Sequence, residues 1–280
     1  MKREETLEQK EKEILVSIVT PSYNQAEFIE DTILSIQNQT YPFVEHIIVD
    51  GASTDGTVEI LKKYGDNINW ISEPDNGETE AVNKGFKMAR GEIIGWVSSD
   101  NTLELDAVET VVSIFKHHPD IDMVSGGANI IDKNGKLLEV IRPPAIFSLR
   151  GLILKTGAYG MYEPATFIKK NVLKEVGMLD SSMKYAIDLD LFIRIGMKYK
   201  VEHVPHILAN VRYHPEATTL RKSKEQRAEV RILGKKYLEP SIANFIFLKY
   251  FGLKRFLSYS MREKGVYHIL QKFRQKIRKI

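Results

Sequence analysis

Four short apolar runs, separated by stretches of helical spacing, constrain this chain more than any other feature. Residues 14–20 read Ile-Leu-Val-Ser-Ile-Val-Thr; residues 46–49, 68–71 and 93–97 follow as His-Ile-Ile-Val, Ile-Asn-Trp-Ile and Ile-Ile-Gly-Trp-Val. Runs this short and apolar suit strands buried on both faces of a parallel sheet. Between them, Phe28, Ile29, Ile33 and Ile36 keep helical spacing, and residues 57–64 and 78–90 also read as helices. The order β-α-β-α-β-α-β predicts a parallel sheet with right-handed crossovers. The loops after the second, third and fourth runs carry acids: Asp50 and Asp55, then Asp75, then Asp100. In a parallel sheet these loops open on one edge, the carboxyl edge, where ligands of open α/β sheets sit.

Asp100 closes the run Gly95-Trp96-Val97-Ser98-Ser99-Asp100-Asn101, which turns abruptly from apolar to polar. A carboxylate there can hold a hard cation that is itself bound to phosphate oxygens. The plainer alternative is that Asp100 or Asn101 starts a turn or caps the next helix. Asn24, with Glu27 three residues later, reads as a capping box with Asn as the cap. The chain contains neither Gly-x-Gly-x-x-Gly nor Gly-Lys-Ser/Thr, so dinucleotide and P-loop readings lose their main support.

Further on, residues 105–118 read as a helix and 122–128 as a strand. Asp132-Lys133-Asn134-Gly135 is a hairpin signal through Asn-Gly. Residues 157–164 are loop-like and carry Tyr159 and Tyr162. Leu189, Phe192, Ile193 and Gly196 place a helix start near Asp188, where an N-cap is the alternative role for that acid. Asp190 is explained as an i,i+4 partner of Arg194. Residues 201–211 are extended and lead into Arg212-Tyr213-His214.

The chain has no cysteine, which excludes disulfides, thiolate metal sites and a cysteine nucleophile. The start is too rich in Lys and Glu for a secretory signal, and no run reaches the ~18 apolar residues of a membrane span. The net charge of +3 is unevenly placed: residues 241–280 carry ten Lys/Arg and one acid, +9, leaving −6 for the rest. Such a tail on an acidic body points to an anionic surface as partner. The expected organisation is a charged segment 1–13, a catalytic body 14–240 divided at 101/102, and a basic amphipathic tail 241–280.

The segments Ser17-Ile18-Val19-Thr20-Pro21-Ser22-Tyr23-Asn24, Val49-Asp50-Gly51-Ala52-Ser53-Thr54-Asp55-Gly56-Thr57, Gly95–Asn101 and Tyr185-Ala186-Ile187-Asp188-Leu189-Asp190-Leu191 together resemble family 2 glycosyltransferases. The resemblance covers roughly residues 14–215. It implies a GT-A fold, a Rossmann-like, mainly parallel sheet flanked by helices, here with a C-terminal helical extension. It also implies a nucleotide-sugar donor and inversion at the anomeric carbon. Pro21, Tyr23, Asn24, Asp50, Asp55, Asp75, Asn83, Lys84, Ser99 and Arg212 fall where the family contacts its donor. Asp100 and His214 fall where it holds a divalent ion, Mn²⁺ or Mg²⁺. Asp188 matches its catalytic base. Two positions depart from the pattern: Ser98 replaces the first acid of the metal motif, and Ile187 replaces the Glu before the base. Glu163 stands where similar chains often have Gln.

The implied activity is transfer from a nucleotide-diphosphate sugar, a UDP-sugar first, to a glycan or lipid-linked hydroxyl in cell-surface polysaccharide synthesis. The implied place is the cytoplasm, peripheral on the inner face of the cell membrane through the tail, with no nucleic-acid partner. Ser98 and Ile187 also fit a rival of another class, a non-catalytic nucleotide-sugar-binding or scaffold domain. A nucleotidyltransferase shares such sheets and acids but fits Asp188 less well.

Overall fold

The structure is a computed structural model that describes residues 13–155 and 159–238. The four runs form β1 (Val16–Ser22), β2 (Val44–Asp50), β3 (Asn69–Ser72) and β4 (Ile93–Trp96), all parallel, in the order β3-β2-β1-β4. They are joined by α1 (Ile29–Gln37), α2 (Thr57–Tyr64) and α3 (Glu78–Met88). The chain leaves β1 towards β2 on one side and returns to place β4 on the other. The crevice outside the ends of β1 and β4 is therefore the switch point where such sheets bind ligands.

Helix α3 lies very close to the sheet. A Cβ at Gly85 would come within 2.2 Å of Val19 Cγ1, so a glycine is needed there. This packing sets Glu78, the first residue of α3, at the carboxyl edge.

The capping box at Asn24 does not form. Helix α1 starts at Ile29, with Phe28 as its N-cap and no side-chain cap. Asn24 instead takes φ 53°, a left-handed conformation that Asn tolerates. Its Oδ1 accepts from the Thr54 N–H at 2.9 Å, and Glu27 pairs with Lys133 at 2.6 Å. Tertiary partners took both halves of the box.

The second half adds β5 (Thr102–Leu103), α4 (Ala107–His117), β6 (Met123–Asp132), β7 (Leu137–Ile141), α5 (Leu149–Lys155), β8 (Thr166–Lys169), α6 (Lys170–Val176), α7 (Ile187–Gly196), β9 (Val201–Tyr213), α8 (Thr218–Arg221) and α9 (Ser223–Tyr237). The same sheet continues β4-β8-β6-β9-β5, with β7 on β6. Strand β8 runs antiparallel to β4 and β6, while β9 runs parallel to β6. The β6–β7 hairpin turns as expected. Asp132 Oδ1 accepts the N–H groups of Asn134 and Lys136 at 2.9 Å, and Gly135 supplies φ 81°. Strand β5 was not legible in the sequence, being too short to show a period. Its pairing of Thr102 with Asn210 and Leu103 with Ala209 brings the end of β9 back to Asp100.

Alternate residues of β4 feed two cores. Ile94 and Trp96 join the core beneath α3, α6 and α7, and Ile93 joins the opposite core beneath α4. A third cluster, Ile29, Ile33, Ile48, Leu61 and Ile68, seats α1 and α2 on β2. No helix among the described residues is long and apolar enough to cross a membrane. The charged start and the basic tail 241–280 lie outside the described residues.

Candidate active site

A cleft of about 820 Å³ opens at the switch point. Pro21, Tyr23, Asn24, Asp75, Ser99, Asp100, Asp188 and Arg212 line it, as does Glu163. Asp50, Asp55, Asn83, Lys84 and His214 do not.

At the β1–β2 end the acids shape the wall. Asp50 is fully buried; its carboxylate accepts from the Ser53 N–H (2.9 Å), the Ser53 hydroxyl (2.5 Å) and the Ser72 hydroxyl (2.7 Å). Asp55 accepts from the Ala26 and Thr57 N–H groups and the Thr57 hydroxyl, at 2.6–3.0 Å. Between them they fold 50–57 against 22–26 and leave Gly51 on the cleft wall. A Cβ at Gly51 would meet the Asp75 carboxylate at 3.0 Å, so the Asp75 side chain packs directly on the Gly51 backbone. Tyr23 stands on the rim, 62% exposed, free to take a flat ring. Asn83 spends both ends of its amide on Leu179, and Lys84 pairs with Glu73 and Glu80. Those two side chains brace α3 and do not reach the cleft.

At the end of β4, Asp100 Oδ2 lies 3.1 Å from His214 Nε2. His214 is buried against the Phe28 ring, 4.6 Å between centroids. Arg212 is also buried, with its guanidinium 5.0 Å from the same ring. It donates to the Asp100 carbonyl (3.0 Å), the Lys133 carbonyl (2.8 Å) and Asp31 (2.8 Å). Its donors are thus engaged in fixing the Asp100 loop to β9. Among the described residues no group of three or more His, Asp or Glu could hold a metal. One carboxylate and one imidazole fit an ion that completes its shell with phosphate oxygens and water, since hard divalent ions keep several waters.

Ser98, the departure from the family's acid, is flanked by two carboxylates. Its Oγ lies 3.3 Å from Glu78 Oε1 and 3.2 Å from Glu163 Oε1, and Asn101 Nδ2 donates to Glu163 Oε1 at 3.2 Å. Burial, then the charges of Asp100 and Asp188, push Glu78 up to about 7. Burial, then the charges of Asp188, Glu78 and Asp100, hold Glu163 well above the ordinary carboxylate range. Sequence reasoning gave Glu78 no role. The available signal was its place, the first residue of a helix that follows a strand on the ligand edge.

This cluster has a measurable consequence. The folded chain keeps the Glu78 proton longer than the unfolded chain, whose Glu titrates near 4.5. Its contribution is therefore full below 4.5 and lost as pH rises through about 7. In metal-free protein, Glu78→Gln should lose less thermal stability than wild type between those two pH values. Parallel melting curves for the two proteins would contradict the assignment.

Asp188 lies in the first turn of α7, but it is not the cap: the N-cap is Ala186, with no side-chain cap. The turn that leads into α7 is held from α9. The Glu229 carboxylate accepts the N–H groups of Lys184 (3.0 Å), Tyr185 (2.8 Å) and Ala186 (2.9 Å). Glu229 was missed by sequence reading, because nothing local marks an acceptor that arrives from 43 residues away. Asp190 meets Arg194 at 2.7 Å, as the i,i+4 spacing predicts.

Residues 17–177 match the model of Glycosyl transferase family 2. An uncharacterized glycosyltransferase of Rickettsia bellii is 32% identical over 72% of this chain and 30% of that protein. Chondroitin synthase of Escherichia coli is 30% identical over 74% of this chain and 30% of that protein. The chain thus spans about a third of the length of these relatives. Among solved structures, S. aureus TarS 1–349 in complex with UDP-GlcNAc superposes with a TM-score of 0.62, at 16% identity, over 89% of this chain and 73% of that one. The mannosyltransferase PcManGT from Pyrobaculum calidifontis, in complex with GDP-Man and Mn²⁺, gives 0.63 at 17% identity, over 89% and 76%. The fold is the GT-A arrangement of these glycosyltransferases, an α/β body built on a curled, mostly parallel sheet, and the chain belongs to glycosyl transferase family 2.

Proposed function

We propose that the chain transfers a sugar from a nucleotide-diphosphate sugar, a UDP-sugar first, to a hydroxyl of a glycan or lipid-linked acceptor, with inversion. The observation that carries this reading is a single cleft lined by both Asp188, at the start of α7, and Asp100, at the end of β4. Asp188 accepts the proton of the acceptor hydroxyl as general base. The hydroxyl oxygen attacks the anomeric carbon from the face opposite the diphosphate, the bond to the diphosphate oxygen breaks, and the proton stays on Asp188. Asp100 and His214 would hold a divalent ion, Mn²⁺ or Mg²⁺, which when bound offsets negative charge on the diphosphate. Gly51, Asn24 and the exposed ring of Tyr23 form the wall for the nucleoside, with Asp50 and Asp55 holding that wall in shape. Arg212 and Ser99 belong to the frame of the diphosphate end. A glycosidase would need a second carboxylate acting as acid on the leaving oxygen; a diphosphate leaves without one.

Calorimetric titration of nucleotide sugars with and without Mn²⁺ tests the reading. Asp100→Ala should weaken metal-supported donor binding by about tenfold or more and leave the metal-free binding unchanged. Donor binding that ignores both Mn²⁺ and the substitution would remove the ion from this site.

The basic tail, read from sequence alone, would attach the protein to an anionic membrane surface at about 1 kcal/mol per cation. The full chain should float with anionic liposomes at low salt, and a chain ending at Pro240 should remain folded and in solution. A full chain that does not float ends the membrane reading.

A further inference from the structure

Strand β7 carries large apolar side chains on its outside. Leu137 and Leu138 are each 53% exposed and Val140 is 41% exposed. Five residues beyond the strand, Ile146 is 81% exposed. Such side chains standing singly need no explanation. Four of them within ten residues, on one hairpin and the segment that leaves it, mark a contact surface. The charge around them differs from that of the body. Residues 133–150 hold Lys133, Lys136, Arg142 and Arg150 with one acid, Glu139, a net +3, whereas residues 1–240 together are −6. All four cations are exposed, and Lys133 also reaches Glu27.

The form of the strand decides between a protein and a bilayer as occupant. Among the described residues β7 pairs with β6 alone, so its other edge is open. An open edge can take a strand from a second copy. Here the ladder is interrupted: Ile130 pairs with Glu139 and Ile131 with Leu137, which leaves Leu138 bulged with no residue opposite. A bulge twists the strand, and Lys136 stands at its start; both discourage edge-to-edge pairing. A fluid anionic bilayer needs no ladder. Apolar side chains enter its acyl boundary while cations meet its headgroups.

Both ends of β7 are tied to walls of the cleft. At the turn, Asp132 pairs with Tyr213 of β9, and Arg212 Nη1 donates to the Lys133 carbonyl at 2.8 Å. At the far end, a Cβ on Gly160 would come within 2.8 Å of the Arg142 carbonyl. Arg212 and Tyr213 line the cleft, as do Tyr159 and Met161 on either side of Gly160. We propose that the β6–β7 hairpin, with the segment to Ile146, rests on an anionic bilayer and sets the cleft beside it. Leu137, Leu138, Val140 and Ile146 enter the headgroup–acyl boundary. The inference rests on the membrane reading of the tail and adds a second contact, in the body. The tail attaches and the hairpin orients. Stable attachment takes two signals, so the hairpin alone leaves a chain ending at Pro240 in solution.

The chain has no cysteine, so Leu138→Cys puts a single thiol on the patch for a solvatochromic dye. Lys62→Cys is the control, exposed on α2, which joins β2 to β3 at the other end of the sheet. The full-length labelled proteins are mixed at low salt with vesicles of phosphatidylglycerol and phosphatidylcholine in equal parts, or of phosphatidylcholine alone. With the anionic vesicles the dye at position 138 should shift to the blue and lose about two-thirds or more of its quenching by aqueous iodide. The dye at position 62 should do neither. Unlabelled Leu138→Asp should bind the anionic vesicles about tenfold more weakly than wild type, the worth of one buried leucine, with an unchanged melting temperature. A full chain that binds while the dye at 138 stays in water overturns the hairpin contact and leaves the tail reading standing. A full chain that does not bind overturns both. A dye at 138 already blue-shifted without vesicles also overturns the proposal: light scattering then assigns the patch to a second copy if the protein is dimeric, and to the chain's own tail if it is monomeric.

Discussion

Asp188→Asn should lower transfer by about 10²–10⁴-fold, the range of a general-base contribution, while nucleotide-sugar affinity stays near wild type. The amide has the shape of the carboxylate and cannot take the acceptor's proton. The substitution should leave the local fold intact, because Asp188 does not cap α7 and the turn before that helix is held by Glu229 from α9. The effect should therefore fall on kcat rather than on melting temperature. Two measurements on the same preparation decide it: initial transfer rate at saturating donor, and donor affinity by calorimetry. A rate within about threefold of wild type would remove Asp188 as the base. Loss of donor binding with loss of rate would move its role to the donor.

Asp190→Ala should destabilise the protein by about 3–5 kcal/mol, the cost of stranding a buried charge by removing its partner. Asp190 is fully buried. Its carboxylate accepts from Arg194 Nε at 2.7 Å and the Tyr237 hydroxyl at 2.9 Å, with Lys236 Nζ at 3.5 Å. Arg194 in turn donates to the carbonyls of Val176, Gly177 and Met178 at 2.8–3.0 Å. One carboxylate thus joins α6, α7 and α9. Asp190→Asn keeps an acceptor of the same size and should lose less. The check is the urea midpoint with an unchanged slope. A loss below about 1 kcal/mol would mean the pair behaves as a solvated surface bridge.

The order of the first four strands and three helices was legible because period and punctuation agree there. Apolar runs of strand length end in polar loops, and helical spacing fills the gaps. The places of Asp100, at a strand's end on the ligand edge, and of Asp188, at a helix start, were legible in the same way, and both line the cleft; the roles proposed for them come from the family's motifs. What stayed hidden depends on partners far along the chain. The start of α1 shifted because Asn24 and Glu27 found partners at Thr54 and Lys133. The flanking of Ser98 by Glu78 and Glu163 joins residues 20 and 65 positions away. Sequence also does not separate a carboxylate that touches a ligand from one that shapes the loop that does. Asp50 and Asp55 carry hydrogen bonds of the second kind.

The Glu229 bond to the turn before α7 bears on how such a chain can change its substrate. The segment matching the family ends at residue 177 and includes Asp100 but not Asp188 or Glu229. The matched segment therefore holds the first four strands and the Asp100 loop, while Arg212 and His214, which meet that loop from β9, lie beyond it. The turn that leads into Asp188 is held by a carboxylate reaching back from a later helix. Exchange of the segment from 178 to 238 between relatives would carry Asp188 and its Glu229 brace together, along with the Arg212 and His214 contacts to the Asp100 loop. An exchange that stopped short of α9 would leave three amide groups without their acceptor and Asp188 without a fixed direction.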